Sequence, residues 1–540
     1  MRAWADATIF DLLRQFHLSY LPPLMVYLAA GVSGLTAIVG TFFIKDYLGL
    51  SASYLAGLAF WAGLPWTLKM PLGHLVDLWW RHKAWLVYLG ASLVAVSLLI
   101  MVGLIGFTES MLAVLPAESW FVISTLLAPT GYVIQDVVAD AMTVEAVPLL
   151  DDQGEPYAEN VIKNKHTTMQ TFGRLAIIGG SALVAAVNIM VFSGVGDMSE
   201  QQQRDIYVKI YLLALVIPLI SVAGVWLGEY FTRARRRRLG SASVPAAGAD
   251  APIPGKPADQ VMQPNWWILG GSLAFVVFSV TMGLVDVPGS QEIVFIGAIS
   301  IVIFLMARLF AELGENARRE LIGTAVIIFM FRAVPGPGPG QTWFEIDVLG
   351  FDQQFLSVLS LITTVIAMLG MVVLRPLMAK RSIAYVVVLL SVVAGVLSLP
   401  NIGLFYGIQN WTQAWSGGLI DARMIALIDT MLESPLGQIA MIPMLAWIAR
   451  SAPAHLKATF FAVMASFTNL ALSASSLFTK YLNQTWLVTR EVRALGSEGV
   501  SVPADYSELG VLLIAAALIG VGVPLLTIVI VQRSRWRTTS

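Results

Sequence analysis

The chain has 540 residues, 57% of them hydrophobic and only 12% charged, with a formal net charge of −1; soluble domains carry about twice that share of charge. A mean hydropathy of +0.76 places it in a membrane, and the near-neutral balance gives nucleic acid nothing to bind. The absence of cysteine excludes disulfides and thiolate-held metals. The five histidines include no pair at metal-ligand spacing, and no glycine loop precedes a Lys-Ser or Lys-Thr pair, so no metal, no cofactor and no ATP-driven pump is expected.

Hydropathy predicts an all-α polytopic membrane protein of about fourteen crossing helices, near residues 21–44, 52–76, 84–107, 119–147, 166–193, 209–230, 266–286, 292–312, 320–347, 355–379, 383–406, 423–448, 459–482 and 509–532. The stretch from Met1 to Tyr20 is amphipathic and lacks a cleavable apolar segment, so the first membrane helix is expected to remain as an anchor. One set of loops collects Arg81, Lys83, Lys163, Lys165, Arg233, Arg235 to Arg238, Arg318, Arg319, Lys380, Arg381, Arg450, Lys457, Arg533, Arg535 and Arg537. The other holds chiefly Lys45, Arg204, Arg490 and Arg493, a bias of roughly fourfold that sets both termini in the cytoplasm.

Residues 1–231 read as a six-helix bundle and 316–540 as a second. Between them, 232–264 opens with an arginine cluster and continues as SASVPAAGADAPIPGKPADQ, too poor in large apolar residues to build a core, which predicts a flexible cytoplasmic linker. Residues 265–315 form an inserted transmembrane hairpin, almost uncharged within the bilayer, as suits a lipid-facing accessory. Two halves of this kind place a transport site at their interface.

An ionisable group inside a membrane helix costs several kcal/mol unless it faces a partner or a wet cavity. In the second span, Lys69, Gly73 and Asp77 share one helical face, with Pro65 and Pro71 distorting the helix. Asp77 stands against the basic loop of Arg81 and Lys83, as a cytoplasmic gate latch or as plain topology and capping. Lys69 lies about 12 Å deeper than Asp77; it contacts substrate or snorkels to the interface.

In the fourth span, APTGYVIQDVVADAMTVEAVP, Asp136 and Asp140 stand one turn apart. Two carboxylates that close repel and favour holding a proton, unless Lys69 or Arg174 neutralises them permanently. Glu145 points elsewhere, near the cytoplasmic end, and is expected to pair with Arg81 or Lys83 in the gate. Arg174, two turns into the fifth span, stays charged in nearly any setting, so it binds an anion or keeps a fixed partner.

The ninth span is the most unusual: FMFRAVPGPGPGQTWFEIDVLGF puts Arg332 near mid-membrane, directly before three Pro-Gly pairs. The helix must break there, exposing backbone groups and starting a half-helix near Gln341 whose positive end suits an anion. Arg332 is thus a substrate contact or the partner of Asp429 or Glu433. That last pair, one turn apart in the twelfth span, mirrors Asp136 and Asp140 and is a second candidate for proton coupling.

Gly73, Asp77, Arg81 and Lys83 together resemble the loop signature between the second and third helices of the major facilitator superfamily, with Trp80 where a glycine is usual. The stretches PWTLKMPLGHLVD, QDVVADAMTVE, AVPGPGPGQTWFEIDVLGFDQQFLSVLSLI and APAHLKATFFAVMASFTN resemble the folate–biopterin transporter family within it. The related muropeptide permeases share the patterns of the second and fourth spans. The resemblance implies twelve core helices in two bundles, alternating access, and proton-coupled import of a pterin-type or other bulky organic anion, with Lys69, Asp77, Asp136, Asp140 and Glu145 on motif positions. Arg332 matches no motif position. Apart from the anion, protons and membrane lipid, no partner is expected, and the chain reads as a monomeric, non-enzymatic carrier of a bacterial inner membrane. An exporter, a muropeptide-type permease and a non-transporting scaffold or receptor are the other readings.

Overall fold

The computed structural model describes residues 14–79, 82–147, 157–195, 198–239, 266–284, 287–311, 313–373, 382–434, 457–493 and 500–538. Its helices are α1 (Leu21–Val32), α2 (Ala37–Tyr47), α3 (Ala52–Gly63), α4 (Lys69–Leu78), α5 (Lys83–Gly106), α6 (Ala117–Ala146), α7 (Glu159–Val191), α8 (Glu200–Ala214), α9 (Val216–Leu239), α10 (Trp266–Leu284), α11 (Ser290–Phe310), α12 (Glu315–Arg332), α13 (Gly340–Asp347), α14 (Gln353–Val373), α15 (Ile383–Phe405), α16 (Ile408–Trp415), α17 (Ala422–Glu433), α18 (Lys457–Thr485) and α19 (Leu509–Arg533).

Among the described residues nine helical segments are long and apolar enough to cross a membrane. The second span is interrupted by the 3-10 turn Leu64–Leu68, and the ninth stops at Arg332. The twelfth runs beyond the described residues. The arginine cluster extends α9 helically to Leu239; the rest of the expected linker, 240–264, lies outside the described residues.

In the first half α5 lies along α6, and α1 packs against both α7 and α9. Small residues allow the backbones to approach: a Cβ on Gly31 would come within 2.1 Å of the Ile177 carbonyl oxygen, and one on Gly131 within 2.5 Å of that of Gly90. In the second half α15 and α12 pack on α19, and α17 on α14 and α15. The halves meet along α3 with α18 and α7 with α14.

The hairpin α10–α11 is more than a lipid-facing accessory. One face does meet lipid, through Leu273, Val277, Ile296, Ile303 and Phe304. The other buries Val294, Ala298, Val302 and Met306 in one core with Phe60 and Leu64 of α3 and its following turn, and with Met464 and Leu470 of α18. Gln291 donates to the Gly57 carbonyl at 3.1 Å, and Lys480 of α18 pairs with Glu292 at 3.0 Å. The insertion therefore covers the seam between the halves.

At the face opposite the chain ends, α2 packs against α14 and against the loop after α18. That loop holds a short antiparallel hairpin, β1 (Val492–Arg493) with β2 (Val500–Val502), extended by a Thr489–Asp505 bridge. Hydropathy gave no sign of it.

Candidate functional site

Pro65 has no amide hydrogen to continue α3, so the chain passes through a 3-10 turn before restarting as α4. Thr67 caps the Leu64 carbonyl at 2.7 Å. Pro71 falls in the first turn of α4, where no intrahelical N–H bond is lost. The outcome is a helix that begins at Lys69, well inside the membrane and beside α6.

Lys69 pairs with both acids of α6: with Oδ2 of Asp136 in very close contact, and with Oδ2 of Asp140 at 3.3 Å. Its ammonium also lies 5.8 Å from the Trp66 ring centroid. From α1, Tyr27 donates its hydroxyl to Oδ1 of Asp140 at 2.5 Å. The carboxylates differ in setting, the Asp136 side chain being 14% exposed and that of Asp140 50% exposed. Asp140 thus faces open space from an otherwise enclosed cluster. Arg174 is near enough to act electrostatically on Asp136 and Tyr27, and Gly173 beside it makes room for the Tyr27 ring, 2.8 Å from where a Cβ would stand. Sequence spacing brought Lys69, Asp136, Asp140 and Arg174 into view; it missed Tyr27, an aromatic in an apolar helix.

Toward the end of α6 nearest the chain termini, Glu145 accepts from Lys83 at 2.6 Å, the second of its two expected partners. Asp77 falls on α4, but its side chain, like the whole of Arg81, lies outside the described residues.

In the second half, α12 ends at Arg332 and α13 restarts at Gly340, beside the expected Gln341. The broken segment does not leave its backbone free, however. Ser475, Thr479 and Asn483 project from successive turns of α18: Ser475 donates to the Val334 carbonyl at 2.6 Å, Thr479 accepts from the Gly336 amide at 3.1 Å, and Asn483 donates to the Pro337 carbonyl at 3.2 Å. Gly338, at a φ of +77°, packs so tightly on Asn483 that a Cβ would lie 2.6 Å from its Nδ2. Of the backbone expected to be unpaired, the Gly336 amide and the Val334 and Pro337 carbonyls are therefore taken by α18. These groups are spoken for, because unsatisfied backbone in a membrane is too costly to keep. The i, i+4, i+8 spacing of Ser475, Thr479 and Asn483 was the available signal.

Arg332 makes no ion pair among the described residues, and its Nε is buried without a hydrogen-bond partner. Asp429 accepts instead from Asn401 at 2.9 Å and keeps Oδ1 buried and unbonded; Glu433 is exposed. A further acid, Glu345 of α13, accepts from Gln341 at 2.8 Å and interacts electrostatically with Asp429. It is visible in the sequence but was not singled out.

At the face opposite the chain ends stands a group drawn from the end of the ninth predicted span, Trp343 and Asp347, and from predicted loops. Lys45 of α2 pairs with Asp347 of α13 at 2.6 Å and with its neighbour Asp46 at 3.0 Å. Tyr506 donates to Asp347 at 2.5 Å, and burial together with that carboxylate raises the Tyr506 phenol, so it keeps its proton. Arg490 stacks 4.0 Å from the centroid of Trp343. Its guanidinium donates to the carbonyls of Lys45 at 2.9 Å, Leu50 at 2.8 Å and Ile44 at 2.7 Å, and closely to that of Leu48. Burial lowers its pKa to about 10, which leaves it charged at neutral pH. Tyr207 of α8 and Gln353 of α14 add a 2.9 Å bond between the halves.

Comparison with known proteins agrees with this architecture. A POT family transporter solved in complex with 5-aminolevulinic acid superposes with a TM-score of 0.61 at 12% identity, covering 94% of this chain and 95% of that one. A peptide transporter POT in complex with sulfate gives 0.61 at 16% identity over 97% of both chains. The nucleoside transporter NupG gives 0.53 at 13% identity over 95% and 99%. In sequence, a folate-biopterin transporter of Synechocystis sp. is 22% identical over 470 residues, covering 86% of this chain and 75% of that protein. The model of the BT1 family matches residues 30–537. The chain is a membrane transporter, and it belongs to the BT1 family.

Proposed function

We propose that the protein imports a bulky organic anion of the folate or pterin class together with protons, by alternating access between its two halves. The observation that carries this reading is the single ammonium of Lys69 shared between Asp136 and the half-exposed Asp140. With both acids ionised, Lys69 and Arg174 balance them. A proton taken up by Asp140 loosens its hold on Lys69 and leaves the cluster with one net positive charge, which a substrate carboxylate can meet. Release of substrate and proton on the other side restores the pair. Arg174 and Arg332 supply further cationic contacts, Asp429 and Glu433 form a second titratable pair in the other half, and Asp77, Arg81 and the Lys83–Glu145 pair gate the cytoplasmic side.

The name of the Synechocystis relative supports the substrate class, and Trp66 beside Lys69 offers an aromatic face for a pteridine ring. On this reading the chain works as a monomer in a bacterial inner membrane with both termini cytoplasmic and catalyses no covalent step. The test is uptake of labelled folate, a pterin, a muropeptide and a nucleoside into liposomes, with and without an inward proton gradient. Gradient-dependent accumulation of folate or pterin is expected. Accumulation of muropeptide alone, or uptake indifferent to the gradient, contradicts the reading.

A further inference from the structure

We propose that Arg490, acting with the Lys45–Asp347 pair, is the latch that holds the transporter shut on the face opposite its chain ends. The inference rests on the alternating-access reading above and adds a gate made of residues other than Asp77, Arg81 and Glu145.

Arg490 belongs to the second half, yet its side chain, in a residue only 3% exposed, is inserted among the carbonyls of Ile44, Lys45, Leu48 and Leu50 in the first. Ile44 and Lys45 lie in the last turn of α2, where the helix dipole favours a cation; the Ile44 carbonyl, which already accepts from the Leu48 amide at 3.2 Å, takes the guanidinium as a second donor. One guanidinium therefore caps a helix of the opposite half, and its flat face is backed by Trp343 at 4.0 Å.

A latch must also open without stranding charge, and the neighbouring pair is built for that. When the halves part, Lys45 keeps Asp46 at 3.0 Å within its own half, while Asp347 keeps the Tyr506 hydroxyl at 2.5 Å within the other. Of the bonds made by Lys45 and Asp347, only the 2.6 Å one between them is lost. The carbonyls released by Arg490 stand at a loop and a helix end, where water replaces it.

The second-half parts also move as one piece. The Leu487 amide donates to Glu508 at 2.7 Å, Thr489 and Asp505 bridge the strap, and Asn483 holds the turn ahead of α13. Trp343, Asp347, Arg490 and Tyr506 thus share one support.

The absence of cysteine makes the test direct. Spin labels on Tyr54→Cys, at the start of α3, and Gln413→Cys, on α16, report the separation of the halves on this face in purified protein held in lipid nanodiscs. The parent should show mainly the short distance. Arg490→Ala should raise the separated population at least about tenfold, equivalent to 1.4 kcal/mol, and Asp347→Asn should move it in the same direction by less. Arg490→Lys, which keeps the charge but reaches fewer carbonyls, should fall between parent and Arg490→Ala. A well-folded Arg490→Ala protein with the parent's distance distribution overturns the proposal. If that variant does not fold, unchanged distributions in both Arg490→Lys and Asp347→Asn do so. Uptake assays separate the two ideas: a parent that carries none of the solutes ends the transport reading while the distances still report the latch, and intact uptake with unresponsive distances ends the latch alone.

Discussion

Tyr27 donates its hydroxyl to Asp140 across 2.5 Å, so the carboxylate that shares Lys69 with Asp136 is held from a third helix. This bond fixes one oxygen of Asp140 and leaves the other to the ammonium 3.3 Å away. Tyr27→Phe should leave the fold intact, since the ring still packs against Gly173. It should change the pH dependence of uptake while altering substrate affinity little. Uptake measured from pH 5 to 8 checks this, and a profile superimposable on the parent's would remove Tyr27 from the coupling unit.

Lys69 is the only cation in direct contact with both acids among the described ion pairs. Lys69→Ala leaves two neighbouring carboxylates facing each other and should destabilise the protein by about 3 kcal/mol, the lower part of the range for breaking an enclosed pair because Asp140 is half exposed. Lys69→Ala combined with Asp136→Asn should recover most of that stability without restoring concentrative uptake. Thermal unfolding in detergent measures the first effect and liposome uptake the second. Recovery of uptake in the double variant would reduce the cluster to a structural role.

The clasp on the Pro-Gly segment gives a separate expectation. Asn483 is 1% exposed and donates to both Pro337 and Thr479 carbonyls. Asn483→Ala should cost about 1–3 kcal/mol by leaving buried acceptors unbonded. Asn483→Asp, which loses the amide donor and adds charge, should cost more. Melting temperatures of the two variants rank them, and the reverse order would mean that the break draws its support from elsewhere.

Close helix contact in the first half rests on Gly31. Gly31→Ala places a methyl 2.1 Å from the Ile177 carbonyl oxygen, whereas Gly34→Ala meets nothing within 4 Å. The first substitution should cost about 3 kcal/mol or more through forced separation of α1 and α7, and the second little. Folded yield by gel filtration distinguishes them, and equal yields would show that α1 can shift freely.

The parts of this account legible in the sequence were those marked by cost. Lys69, Asp136 and Asp140 stood out because charge inside apolar helices is expensive, and their i, i+4 spacing located the pair. The three Pro-Gly repeats announced a broken helix for the same reason. What escaped reading depended on long-range partners. The clasp of Ser475, Thr479 and Asn483 lies some 140 positions along the chain from the break it supports. Arg490 counted only as a loop charge in the topology balance, because nothing local marks a guanidinium that caps a helix more than 440 residues away.

The central claim is that Asp140, sharing Lys69 with Asp136, couples proton movement to transport. It is tested most directly by comparing parent and Asp140→Asn protein in liposomes under an inward proton gradient, with labelled folate or pterin outside and counterflow exchange measured in parallel. The account predicts that the parent accumulates solute above its external concentration, whereas Asp140→Asn exchanges solute but does not concentrate it. Gradient-driven accumulation by Asp140→Asn equal to the parent's would contradict it.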